Sequence, residues 1–256
     1  MIRHVFVNSA DCEAHGDNEY TINMNKYQII AGSGFITFCV MDIQIPQGYY
    51  HTIREGVTDL LVVDILDSGN SMVGGGTLQF TPGTYNVYEL MEEFNTQWAD
   101  TLPEYDCTIA YSKTRNKLSL KSTTATYKIK VYKVSSTCAE VFGLSEDLTC
   151  EYNTTTYFQN CFNSHTVTAV DVYSSLKTSN FSSAKRDIDH CIARVGVSST
   201  TGILTYANQS DHEQLCDAHH ISSLTFQLKD QRRRTLDLNG LHWNIHMRFT
   251  RHLPRI

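Results

Sequence analysis

Leu224-Thr225-Phe226-Gln227-Leu228-Lys229 alternates apolar and polar residues without a break, and Trp243-Asn244-Ile245-His246-Met247-Arg248-Phe249 does so again. A period of two sends successive side chains to opposite faces of a strand, so each stretch reads as a β-strand with one buried and one wet face. Between them, Asp230-Gln231-Arg232-Arg233-Arg234 makes a charged turn, Leu236 and Leu238 return to apolar positions, and Asn239-Gly240 marks a bend. Leu224 to Phe249 therefore reads as two strands with a structured connection.

The same period recurs upstream. Phe35 to Ile45 reads as a long strand, with Met41, Ile43 and Ile45 on one face before Pro46 stops it. Leu60 to Leu66 is a second apolar run, Asp67-Ser68-Gly69-Asn70 supplies turn chemistry, and Gly74-Gly75-Gly76 leads into a third strand through Phe80. The triple glycine lacks the Gly-Lys-Ser/Thr ending of a phosphate loop and reads as a flexible turn. Cys107, Ile109 and Tyr111 alternate, residues 112–117 turn, and Leu118 and Leu120 return; Tyr127 to Val134, Val167 to Leu176 and Cys191 to Val197 supply further strands. One clear helix interrupts them. Asn86 with Glu89 forms a capping box, and Val87, Leu90, Met91, Phe94 and Trp98 follow at helical spacing. A short helical turn from Ser136 to Phe142 ends at Gly143, a left-handed stop. The reading is all-β, with about eight or nine strands and one amphipathic helix.

Composition agrees. The 256 residues are 41% hydrophobic, 11% aromatic and only 19% charged, with four prolines, enough apolar surface for one sandwich-sized domain carrying an insertion. The net charge of −6 opposes direct nucleic-acid binding, whose footprint is basic. The charge is uneven: Lys229 to Ile256 holds seven Lys or Arg (Lys229, Arg232, Arg233, Arg234, Arg248, Arg251, Arg255) against Asp230 and Asp237, leaving the remainder acidic. That end suits docking on something anionic, including the acidic part of a neighbouring copy, or is simply a solvated face. Met1 to Glu13 carries no signal-peptide core, and no apolar run reaches membrane-spanning length. The sequence therefore reads as made inside a cell, neither secreted by that route nor membrane-spanning. The sequons at Asn153, Asn180 and Asn208 read as chance products of a Thr/Ser/Asn-rich chain. Eight cysteines are scattered singly and read as reduced, partly buried thiols.

Little in the sequence carries reaction chemistry. His242 and His246 stand four apart, but within a period-two stretch they only share a strand face. His212, Cys216, His219 and His220 are the best metal candidates by spacing, with no second ligand pair to complete a site. There is no Gly-x-Ser-x-Gly element, and Glu92-Glu93 are adjacent on the helix and do not face each other. No catalytic, cofactor-binding or metal residue is expected, and no small-molecule substrate.

Ile221 to Asp230 followed by Leu236-Asp237-Leu238-Asn239-Gly240-Leu241-His242-Trp243 resembles the carboxy-terminal hairpin of minor capsid, or penton, proteins of polinton-like viruses, adintoviruses and virophages. Tyr85 to Leu90, the strand pair after it, and Ala139-Glu140-Val141-Phe142-Gly143-Leu144 are similar to the helix-plus-hairpin region of those proteins. Together the pieces cover about half of the chain. The resemblance implies a single jelly-roll sandwich over 1–256, with 84–144 an inserted helix-plus-hairpin subdomain. It further implies a homopentamer at each vertex of an icosahedral virion, in contact with a double jelly-roll major capsid protein. One departure stands out: Arg232-Arg233-Arg234 occupies a turn where the family carries glycine. Two other readings fit an all-β scaffold. One is a lectin-like or receptor-binding jelly roll presenting Tyr49-Tyr50 and the aromatics of Tyr152 to Phe158; the other is a cupin-like metal enzyme, which requires the His/Cys cluster to converge.

Overall fold

A computed structural model describes residues 1–122, 126–177, 190–198, 202–209 and 212–254. Asn180 and Arg255 fall outside the described residues. In chain order the strands are β1 (Ile2–Asn8), β2 (Glu13–His15), β3 (Glu19–Asn23), β4 (Ile29–Ile30), β5 (Phe35–Pro46), β6 (Leu60–Leu66) and β7 (Met72–Gln79). After α1 (Val87–Thr101) come β8 (Cys107–Ser112), β9 (Lys117–Ser122) and β10 (Lys128–Tyr132), then α2 (Ala139–Phe142), β11 (Leu148–Cys150) and β12 (Thr155–Tyr157). The last are β13 (Ala169–Ser174), β14 (Cys191–Gly196), β15 (Ile203–Ala207), β16 (Gln214–Cys216), β17 (His220–Ile221), β18 (Ser223–Asp230) and β19 (Asn244–His252). The described residues thus hold nineteen strands, not eight or nine, because two- and three-residue pairings are too short to show a period.

The chain forms two compact units. Met1–Tyr49 with Val167–Ile256 makes the first, and Tyr50–Thr166 makes the second as one continuous insert, within which the span 84–144 lies.

The first unit is two antiparallel sheets. One runs β1-β19-β5-β15, with β16 also on β5; the other runs β14-β13-β18-β3-β2. Taking β2 as a short hairpin arm on the edge of β3, and counting β15–β16 as one interrupted strand, leaves eight, and the sheet orders become 1-8-3-6 and 2-7-4-5. That is the strand order of a jelly roll, two Greek keys folded face to face. The second unit enters between its third and fourth strands. The core follows the alternation: Leu224, Phe226 and Leu228 of β18, and Trp243, Ile245, Met247 and Phe249 of the last stretch, are all buried. Trp243 packs edge-on against Phe226 and Tyr20, with ring centroids 5.4 and 5.8 Å apart.

Strand β5 departs from simple alternation. Ile36, Phe38 and Val40 face the core, as do Ile43 and Ile45, while Met41 does not share their face. The register against β19 slips there, Met247 pairing with Val40 and His246 with Asp42. This β-bulge resets the parity. The neighbouring strand breaks at the same level, with β16 pairing residues 36–38 and β15 residues 42–46. Asn208, in the break, donates its backbone N–H to the Met41 carbonyl (2.9 Å) and its side-chain amide to Cys39 Sγ (3.0 Å).

In the second unit, sheet β11-β10-β6-β7 and sheet β12-β9-β8 share one apolar core with α1 and α2. The capping box forms: the Asn86 side chain accepts from the Tyr88 and Glu89 N–H groups, and Glu89 accepts from the Asn86 N–H. Leu90, Phe94 and Trp98 are buried, with Val87 and Met91 packed beside them. Phe142 of α2 is the aromatic hub, touching Phe80, Phe94 and Phe158. Gly143 ends α2 at φ +82°. The triple glycine is not a turn: Gly74, Gly75 and Gly76 lie inside β7. A Cβ on Gly74 would strike the Tyr105 ring at 2.7 Å and one on Gly76 would strike Thr101 Cγ2 at 2.6 Å, so absent side chains let the end of α1 and the following loop close on the strand.

The arginine run is a turn built on Asp230, which is fully buried. Asp230 Oδ1 accepts from the N–H groups of Arg232 (2.8 Å) and Arg234 (2.9 Å), and Oδ2 accepts from Arg234 Nε (2.7 Å). Arg233 sits at φ +67°, the left-handed position that glycine adopts without strain. Asp230→Ala is expected to lower stability by about 3 kcal/mol, because a buried charge pair loses one member. Arg233→Gly is expected to raise it by about 1 kcal/mol through relief of the left-handed strain. Urea denaturation midpoints read both.

Candidate functional site

The residues singled out by spacing are spread out. Cys216 is buried in β16, where it pairs with Ile36; His219 gives its carbonyl to the Ala31 N–H; His220 Nε2 meets Gln28 Oε1 at 2.8 Å. Among the described residues no three His, Cys, Asp or Glu side chains form a metal-holding group, so His212, Cys216, His219 and His220 do not converge. His242 is not on the final strand, which begins at Asn244; its Nδ1 lies 3.4 Å from Ser9 Oγ. The expected aromatic patch is split by burial: Tyr49 and Phe158 are core residues, whereas Tyr50 is exposed. All eight cysteines are unbridged, five of them buried. Burial pushes the Cys191 thiol up to about 11 and raises Cys12 and Cys216 as well, which keeps them protonated and unreactive. No helix among the described residues is long and apolar enough to cross a membrane.

What the first unit does present is the outer face of its β1-β19-β5 sheet. Ile2, His4 and Phe6 project from β1, His246, Arg248, Thr250 and His252 from β19, and Phe35, Thr37 and Asp42 from β5. Ile203 and Leu215 extend the same face across β15 and β16. Phe6 is 72% exposed, Ile203 62%, Ile2 59% and Leu215 55%. These exposed apolar side chains stand among polar ones on the same face.

Polar contacts hold this face in place. His4 Nδ1 and His246 Nε2 lie 2.9 Å apart, one donating and one accepting, and Phe6 stacks on His246 at 4.1 Å. Glu213 ties three strands together: it accepts from Thr37 (2.5 Å) and Thr250 (2.9 Å) and pairs with Arg248 and His252 at 3.5 Å. Phe35 stacks on His252 at 4.6 Å. The Thr37 hydroxyl bond, with help from Thr250, Arg248 and His252, holds the Glu213 carboxyl below its usual range despite partial burial. Burial, and then the neighbouring His4, lower the His246 imidazole, with Asp42 opposing.

The opposite sheet is ordinary outside. Thr21 and Thr225 bond across β3 and β18 (3.0 Å), and Asp171, buried on its strand, receives a two-pronged hydrogen bond from Arg194 (2.6 and 2.8 Å). The polar face of His246 and Arg248 was legible from the alternation, but its neighbours were not, because the strands that share the outer face lie as far apart as residues 4 and 246.

The chain is a jelly roll that carries a large insert between its third and fourth strands. No protein-family model and no curated protein matches it. Among solved structures it is similar to the mavirus penton protein, with a TM-score of 0.52 at 9% identity over 96% of this chain and 99% of that one. A cryo-EM structure of the Sputnik virophage aligns at a TM-score of 0.48, with 11% identity over 98% of each chain. The shared property at this identity is the fold: jelly roll and insert together follow the mavirus penton protein from end to end.

The two lowered groups act with the same sign. Each favours its deprotonated form in the folded chain, so each contribution is present above the group's ordinary value and lost as pH falls. His246 acts below the ordinary imidazole value of 6.5, and Glu213 below the ordinary carboxyl value of 4.5. Urea midpoints of the wild-type chain are therefore expected to fall between pH 7 and 5. In His246→Phe, which keeps the ring stack and removes the titration, the fall is expected to be shallower.

Proposed function

We propose that this protein is a structural capsid subunit of the penton type, forming homopentamers at the vertices of an icosahedral virion and contacting a double jelly-roll major capsid protein. The observation that carries the reading is the end-to-end likeness of the jelly roll and its insert to the mavirus penton protein, agreeing with the hairpin and helix motifs of the sequence. The exposed apolar side chains on the outer face of the β1-β19-β5 sheet support it, since a subunit that lives in a shell covers such surface with neighbours. The reading assigns no enzymatic step, substrate or cofactor to the chain. A five-fold ring is built from a heterologous interface, one patch of each copy meeting a different patch of the next.

Light scattering behind a sizing column tests the ring. A particle of five times 29.0 kDa is the expected outcome at micromolar concentration. A mass that stays at 29.0 kDa at every concentration and salt would overturn the self-assembling pentamer.

A further inference from the structure

The charge of the insert is segregated along the chain. From Glu55 to Ser112 there are ten Asp or Glu and no Lys or Arg; from Cys107 to Ala139 there are seven Lys or Arg and no acid. Local structure absorbs part of each set. Asp59 accepts from the Gly56 N–H, Asp64 from the Tyr132 hydroxyl, Asp67 caps a turn, Glu89 completes the capping box, and Glu93 holds Thr81 and Gln97. On the basic side, Lys128 pairs with Glu151 and Lys130 with Asp147.

What remains is organised on two faces. Along α1, Tyr88, Glu92, Thr96 and Asp100 are exposed and four residues apart, so they form one outward stripe; exposed Glu104 follows the helix. The second face is the outside of the β12-β9-β8 sheet, where exposed Lys121 of β9 pairs with exposed Thr108 of β8; further along β9, Ser119 is buried and half-buried Lys117 donates through Nζ to the Gln159 carbonyl. Thr155 and Tyr157 of β12 continue those rows. Lys113 and Arg115 stand at the β8–β9 turn, and Arg115 lies over the Tyr157 ring at 4.3 Å, on the edge strand away from β8. Among the described residues Glu92, Asp100, Lys113 and Lys121 have no ion-pair partner within the chain.

We infer that in the assembled ring the acidic α1 stripe of one copy docks on the basic outer face of the β12-β9-β8 sheet of the next, making the insert a charge-keyed joint between neighbours. The inference rests on the pentamer reading above and assigns it a contact. Each exposed pair is weak alone, and several aligned pairs with complementary potential set partner, register and encounter rate.

Charge reversal on the full chain, read by light scattering across concentration and salt, tests it. Glu92→Lys with Asp100→Lys is expected to raise the half-dissociation concentration of the ring by about tenfold or more, and Lys113→Glu with Lys121→Glu to do the same. Combining all four reversals is expected to restore assembly, and high salt to weaken the wild-type ring. Should a reversed chain fail to fold by circular dichroism, the neutral set Glu92→Gln, Asp100→Asn, Lys113→Gln and Lys121→Gln carries the same test with a smaller expected loss. A pentamer indifferent to every substitution overturns the joint and leaves the pentamer standing, whereas a wild-type chain that is monomeric throughout overturns both.

Discussion

The first unit depends on one strand lying between two others. β19 pairs on one side with β1 and on the other with β5, so residues 244–252 lie between two strands that come two hundred or more residues earlier in the sequence. Trp243 fixes the approach to that strand: its carbonyl accepts from the Ser9 N–H and its own N–H donates to Ser9 Oγ, both at 3.0 Å, while its indole is buried against Phe226 and Tyr20. Such pairing pays its loop-closure entropy before any contact rewards it, which makes the jelly roll a slow, late-forming element. The insert differs in kind. Its strands, helices and core all come from one continuous segment, so it can form from local contacts while the flanking sheets wait for the end of the chain.

The legible parts of the fold were those whose signal is local. The alternation in Leu224 to Phe249 gave the buried face residue for residue, and the Asn86–Glu89 capping box and Gly143 stop appear as read. The parts that were not legible are tertiary. Met41 leaves the core face because of a bulge whose carbonyl is satisfied by Asn208. Gly74 to Gly76 look like a turn by composition and are a strand, since what they accommodate is the Tyr105 ring and Thr101. In both cases a contact from a distant part of the chain overrides a local preference.

Charge shows the same division. The basic bias of Lys229 to Ile256 is plain in sequence, yet much of it is spent within the first unit. Arg234 closes the Asp230 turn, Arg248 meets Glu213, and Arg251 Nε donates to the Ala31 carbonyl. Arg233 takes a left-handed position that glycine adopts without strain, in the turn where the resemblance implies glycine. In the insert, Glu92, Asp100, Lys113 and Lys121 are exposed, on elements that share one core.

By itself the sequence determined the all-β class, the one long helix with its cap, the buried alternation of the closing strands and the absence of a local catalytic signature, because each is written in residues within a few positions of one another. Only the tertiary structure decided the 1-8-3-6 and 2-7-4-5 strand orders, the extent of the insert from Tyr50 to Thr166, the failure of His212, Cys216, His219 and His220 to converge, and the exposed face where Phe6 stacks on His246. Those depend on which distant strands become neighbours, and strand pairing is chosen by the packing of two whole sheets over a common core, a quantity no short window of sequence contains.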